Sequence, residues 1–99
     1  MTAYMVSQVT ITDKEKFQEY LAGTRVVAAK YGAKPVAIGG QPKMLNGVDD
    51  GHQMVVVIEF PSIEKLEEWH SSDEYQSLVH VREAGSHQNM VAYNAMSLQ

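Results

Sequence analysis

Cysteine is absent from the 99-residue sequence, which excludes a disulfide framework, a thiolate metal site and covalent thiol catalysis. Nothing in the chain therefore calls for an oxidising compartment, and a cytoplasmic location is expected. Long apolar runs are missing as well. No stretch approaches the ~20 residues of a membrane span, and the start lacks a basic region followed by an apolar segment of signal length. An unprocessed protein with no membrane partner is expected. Basic residues are scarce: eight Lys and Arg against twelve Asp and Glu leave a formal charge of −4. That balance opposes electrostatic binding to nucleic acid or anionic lipid. There is no glycine-rich phosphate loop with lysine, no GxSxG and no HExxH. Nucleotide-dependent chemistry is thus a poor reading, and no cofactor is expected.

What is present suits one domain over residues 1–99, long enough to bury roughly two thirds of its unfolded surface. The stretch that organises it is Gln53 to Ser62. Met54 to Ile58 is its longest unbroken apolar run, mostly β-branched, as a central strand covered on both faces requires. Pro61 stops that strand, and Ser62 is placed to cap a helix. Near the start, Tyr4 to Ile11 alternates with period two, setting Met5, Ser7, Val9 and Ile11 towards helices and Tyr4, Val6, Gln8 and Thr10 away from them. Thr12 with Glu15 reads as a capping box opening a helix. The face of that helix is Phe17, Tyr20, Leu21, Thr24, Ala28 and Tyr31, and its end is Gly32. Gly23, mid-helix, implies another backbone packed close.

Lys34 to Gly39 reads as an edge strand because of Pro35, with Gly39-Gly40 allowing a bulge before Pro42 to Leu45 resume extended structure. Asn46 to His52 carries two turn signals, Asn46-Gly47 and Asp50-Gly51. Ile63, Leu66 and Trp69 step along one side of a second helix. Ser71 with Glu74 reads as a capping box for a further helical piece with Tyr75, Leu78 and Val79 inward. Asn89 to Met96 alternates as a last strand. The order β-α-β-β-α-β yields an α+β fold, a four-stranded antiparallel sheet with the helices on one face, the ferredoxin-like arrangement. The uncovered face would show Val6, Gln8, Val55, Val57, Glu59, Val91 and Tyr93. That is too large an apolar patch for a monomer, so a homodimer closing sheet against sheet into a barrel is expected.

VVVIEFPS at Val55 to Ser62, then Trp69, Ser72, Glu74-Tyr75-Gln76, Leu78 and Arg82, with YMVSQVTITD near the start and KYGAKPVAIGGQPK in the middle, carry a family resemblance. The chain resembles the bacterial domain of unknown function 1330 family over almost its whole length. That resemblance implies the dimeric α+β barrel fold and no established activity; relatives in the wider superfamily include cofactor-free monooxygenases, small isomerases and haem-degrading or stress-response proteins, so the fold does not give the function. Ile38 stands where the family commonly has an arginine, and His70 where it commonly has an aromatic ring. An anion-binding role for that arginine would shift here to Arg82 or Arg25.

Two functional classes stay open. In the first, a cofactor-independent enzyme acts on a small organic ligand in the barrel cavity. Glu59 is then the acid or base and Arg82 its anion partner, with Gln8, Tyr4, Trp69, Tyr75 and Tyr93 lining the ligand. It requires an enclosed pocket beside Glu59. In the second, a noncatalytic ligand-binding or structural homodimer, the same residues only specify the interface, and Glu59 and Arg82 are a fold staple. Trp69 and Tyr75 also fit core positions by their helical spacing. His80, Glu83 and His87 would share one face of a continuous helix and could hold iron. Gly85 and Ser86 interrupt that helix, so these read as surface side chains and no metal is expected.

Overall fold

The computed structural model describes residues 1–97. Its elements run β1 (Ala3–Ile11), α1 (Lys14–Ala29), β2 (Lys34–Gly40), β3 (Met54–Phe60), α2 (Ile63–Ser71), α3 (Asp73–Gln76), α4 (Val79–Gly85) and β4 (Ser86–Asn94). The strands form one antiparallel sheet in the order β2-β3-β1-β4. This is the ferredoxin-like arrangement the element order predicts, with β2 at an edge as Pro35 requires.

The period-two reading of β1 holds: Met5, Ser7 and Val9 lie 1–4% exposed against the helices. They join Phe17, Tyr20, Val27, Val56, Phe60, Leu66, Trp69, Tyr75 and Val81 in one core between the helix layer and one sheet face. Ser7 is admitted to that core because its hydroxyl donates to Gln88 Oε1 at 2.8 Å. Gln88 Nε2 in turn donates to Ser86 Oγ, which donates to the Arg82 carbonyl. A buried hydroxyl so partnered loses the desolvation penalty it would otherwise carry.

Several boundaries differ from the sequence reading. Asp13, not Thr12, caps α1, its carboxylate accepting from Lys16 N at 3.1 Å, while Thr12 N donates to the Gly85 carbonyl. Ser72, not Ser71, caps α3, accepting from Tyr75 N; the Ser71 hydroxyl donates back to the Glu67 carbonyl instead. In both places two adjacent residues could cap, and the chain's entry angle chose between them. Pro42 to Leu45 forms no strand, and the ladder irregularity falls between Pro35 and Ala37, where proline cannot donate, not at Gly39-Gly40. β4 begins at Ser86, three residues before Asn89, because β1 pairs with it as far as Ile11. The neighbour of Gly23 is the Leu78 side chain, 2.9 Å from where a Cβ would stand, not a backbone. Within one chain, the helices cover one face of β3.

The other sheet face carries no helix. Cross-strand register sets Lys34, Glu59, Tyr4 and Tyr93 in one row, Ala37, Val57, Val6 and Val91 in the next, then Gly39, Val55, Gln8 and Asn89. All seven residues expected on the open face are there. Val91 and Tyr93 are 44% and 53% exposed.

Candidate functional site

The residues singled out from sequence divide between the two sides of the sheet. Tyr4, Gln8, Glu59 and Tyr93 stand on the open face; Trp69, Tyr75 and Arg82 belong to the helix layer. Glu59 and Arg82 are therefore not brought together. The cationic neighbour of Glu59 in the ladder is Lys34, directly across from it. Among the described residues, Glu59 does not line the clefts of about 460, 340 and 240 Å3. His87 lies in β4, past the end of α4, so His80, Glu83 and His87 do not share a helix.

The helix-side set forms a connected cluster. Trp69, at the end of α2, is held under the helix by the 3.6-residue spacing from Leu66, and Tyr75 follows on the capped turn of α3. Their ring centroids are 4.4 Å apart, and the His70 ring sits 5.2 Å from Tyr75 on its outer side. Tyr75 is fully buried. Its hydroxyl lies 2.8 Å from the Tyr20 hydroxyl, receives a hydrogen bond from Arg82 Nη1 at 2.9 Å, and donates to Met90 Sδ at 3.6 Å. With one Tyr75 lone pair taken by Arg82 and the proton directed to sulfur, Tyr20 is left as the donor of the phenol pair. Arg82 Nη2 also reaches Glu83 Oε1 at 3.0 Å, so the guanidinium, its side chain 18% exposed, is engaged on both sides.

This environment shifts three titrations. Burial first, then the nearness of Tyr75, pushes the Tyr20 phenol far above its usual range, so Tyr20 keeps its proton. Burial and then the Arg82 charge lower the His70 pKa below its ordinary 6.5, leaving the imidazole neutral at pH 7. Burial pulls Arg82 down, but its hydrogen bonds to Glu83 and Tyr75 outweigh that and the net shift is upward. Perturbed groups gathered in one place are a mark of functional sites.

Beside the cluster, between α2 and β4, opens a cleft of about 460 Å3 lined by Met5, Leu66, Trp69, His70, Met90 and Ala92 among others. It is mostly apolar, with His70 and Glu67 supplying polar groups, the composition and size of a small-molecule site. Tyr75 and Arg82 do not line it; the Tyr75 ring packs against Trp69 and His70, and Arg82 holds the Tyr75 hydroxyl. Sequence reasoning missed His70 as a site residue because it looked for paired ligand spacings. The available signal was its place next to Trp69 at the end of an amphipathic helix, one turn before a second aromatic.

The hydroxyl network makes a differential prediction. Tyr75→Phe leaves both Arg82 Nη1 and the Tyr20 hydroxyl without their acceptor, and should cost about 2 kcal/mol. Tyr20→Phe removes one partner from a group that keeps Arg82, and should cost about 1 kcal/mol or less. Urea unfolding of the two variants checks the order; equal losses would mean that Arg82 finds another acceptor.

A family profile described as a domain of unknown function (DUF1330) matches residues 2–96. Among solved structures, a protein of unknown function from Rhodopseudomonas palustris superposes with TM-score 0.82 at 21% identity, covering 98% of this chain and 84% of that one. SnoaB of Streptomyces nogalater, a cofactor-independent oxygenase, gives TM-score 0.70 at 12% identity over 98% of this chain and 95% of its own. A dimeric ferredoxin-like protein of unknown function from Thermobifida fusca gives 0.64 at 11% identity over 96% and 92%. Identities this low establish a shared fold. A comparison with curated proteins finds no match.

Proposed function

The chain belongs to the family of the domain of unknown function 1330, and from that premise we propose that it works as a homodimer whose α2–β4 cleft binds a small, partly aromatic molecule and acts on it without a cofactor. The observation that carries this reading is the place of His70: an exposed imidazole at the wall of a cleft with one indole and several apolar side chains, its pKa lowered by partial desolvation and then by the Arg82 charge. A neutral imidazole near pH 7 is a proton acceptor of the right strength for general-base chemistry. Trp69, Met5, Met90 and Leu66 supply the apolar surface, and the Tyr75 ring, its hydroxyl bonded by Arg82, packs beside His70. That SnoaB, of the same fold, is an oxygenase needing no cofactor supports a cofactor-free reading.

Tyr4, Gln8, Glu59 and Tyr93 take the second role weighed for them, in the interface between two copies. Their apolar neighbours Val6, Val55, Val57 and Val91 form the patch that association would bury, and a neighbour of the same fold is dimeric. Glu59 does not line the α2–β4 cleft.

2-Tetralone, an aromatic ketone with slowly exchanging C–H protons, tests the cleft. Trp69 is the only tryptophan, so its fluorescence should change saturably as the ketone binds. Deuterium uptake at the acidic C–H should be accelerated by the protein, and His70→Phe should abolish the acceleration while leaving the fluorescence change. The rate should fall as pH drops below 6.5 and through the lowered His70 pKa, because only the neutral ring accepts a proton. Unchanged fluorescence at millimolar ketone would remove the site; acceleration that survives His70→Phe would remove the base.

A further inference from the structure

At the opposite side of the helix layer, between α1 and the edge strand β2, a groove of about 240 Å3 is walled by Leu21, Ala28, Ala33, Pro35, Ile38 and Val56. It is separate from the α2–β4 cleft and shares no residue with it. Arg25 lines it, and no acidic side chain does. The helical neighbours of Arg25 at three and four residues are Leu21, Ala22, Ala28 and Ala29, so the helix offers it no acidic partner, and it makes no ion pair among the described residues. In a chain with twelve acids and eight bases, a cation left over an apolar groove is a specific arrangement. Thr24, 6% exposed, adds to the wall beside it.

We propose that the α1–β2 groove binds a small amphipathic carboxylic acid, its carboxylate on Arg25 and its apolar body along Leu21, Ala28, Ala33 and Ile38. The guanidinium supplies a charge-assisted bond and the walls supply desolvation. The volume lies below the ~300 Å3 at which drug-sized sites begin, which limits the ligand to a short chain or a single ring.

Sodium octanoate and its neutral counterpart octanol, titrated into the 15N-labelled full chain, separate charge from oil. Octanoate should shift the amides of Ala28, Ala29, Ala33 and Ile38 saturably, and octanol should bind at least about tenfold more weakly. Arg25 has no partner to lose, so Arg25→Gln should fold normally and weaken octanoate about tenfold. Arg25→Lys should keep most of the affinity. Equal affinity for the alcohol, an Arg25→Gln variant that binds as before, or shifts confined to the open sheet face would each overturn the assignment. Groove amides that respond to protein dilution but not to octanoate would also overturn it, by giving the groove to a second copy of the chain.

Discussion

Gly85→Ala should lower the stability of the fold by about 3 kcal/mol, the upper end of what overpacking usually costs. A Cβ at Gly85 would stand 2.6 Å from Phe17 N and 2.9 Å from Lys16 C, backbone atoms of α1 that cannot swing aside as a side chain can. The Gly85 carbonyl also receives hydrogen bonds from Thr12 N at 2.9 Å and Asp13 N at 3.2 Å, so separating α4 from α1 breaks the anchorage of the α1 cap as well. Gly40→Ala is the control, since its Cβ would meet nothing nearer than Gln53 O at 4.0 Å; it should stay within about 0.5 kcal/mol of the parent. Urea midpoints at unchanged slope read both. A Gly85→Ala protein as stable as the control would mean that the two helices slide apart without loss.

Val6→Asp should convert the proposed dimer to a species of one chain, 11.0 kDa, by light scattering at micromolar concentration. Val6 is in the middle of β1, an inner strand, between Val57 and Val91 on the face without helices. An uncompensated carboxylate buried there should cost roughly 3 kcal/mol in each copy. Two copies meeting across a two-fold axis would then associate about ten-thousand-fold more weakly. The folded subunit should persist, because the substituted side chain points away from the core that Met5, Ser7 and Val9 build. An unchanged mass for Val6→Asp, or a parent protein that is already a single chain, would refute sheet-to-sheet association.

Acid should weaken the fold in a way that maps to one residue. The His70 pKa is lowered on folding, so the unfolded chain binds the proton more readily. Stability contributed by the neutral ring is complete above 6.5 and is lost as pH falls from there through the lowered folded value. The ring is partly solvated, so the effect is small. His70→Phe should flatten the slope of stability against pH between 5 and 6.5, measured by urea unfolding at each pH.

How far the sequence could be read depended on the range of the interaction. The alternation of Tyr4 to Ile11 and the spacing of Phe17, Tyr20, Thr24 and Ala28 are local periodicities, and each correctly assigned its buried face. Pro35 correctly marked an edge, since a missing donor is a property of the residue itself. The cap shifted from Thr12 to Asp13, and from Ser71 to Ser72, because adjacent hydroxyl and carboxylate groups compete within a fraction of a kcal/mol and the packed chain decides. Pro42 to Leu45 looked extended, yet had no strand to pair with.

By itself, then, the chain determined its order of elements, the identity of its core face and the apolar character of the face left uncovered, all consequences of side-chain period. Only the tertiary structure decided which polar groups meet. Arg82 looked like the partner of Glu59 because each was the conspicuous charge of its own element; the sheet stands between them. In place of that pair, packing brought Arg82, Tyr20 and Tyr75 together from three helices and set His70 beside them. Those contacts span up to 55 residues of sequence, and no local pattern encodes a distance that exists only after the helices have docked.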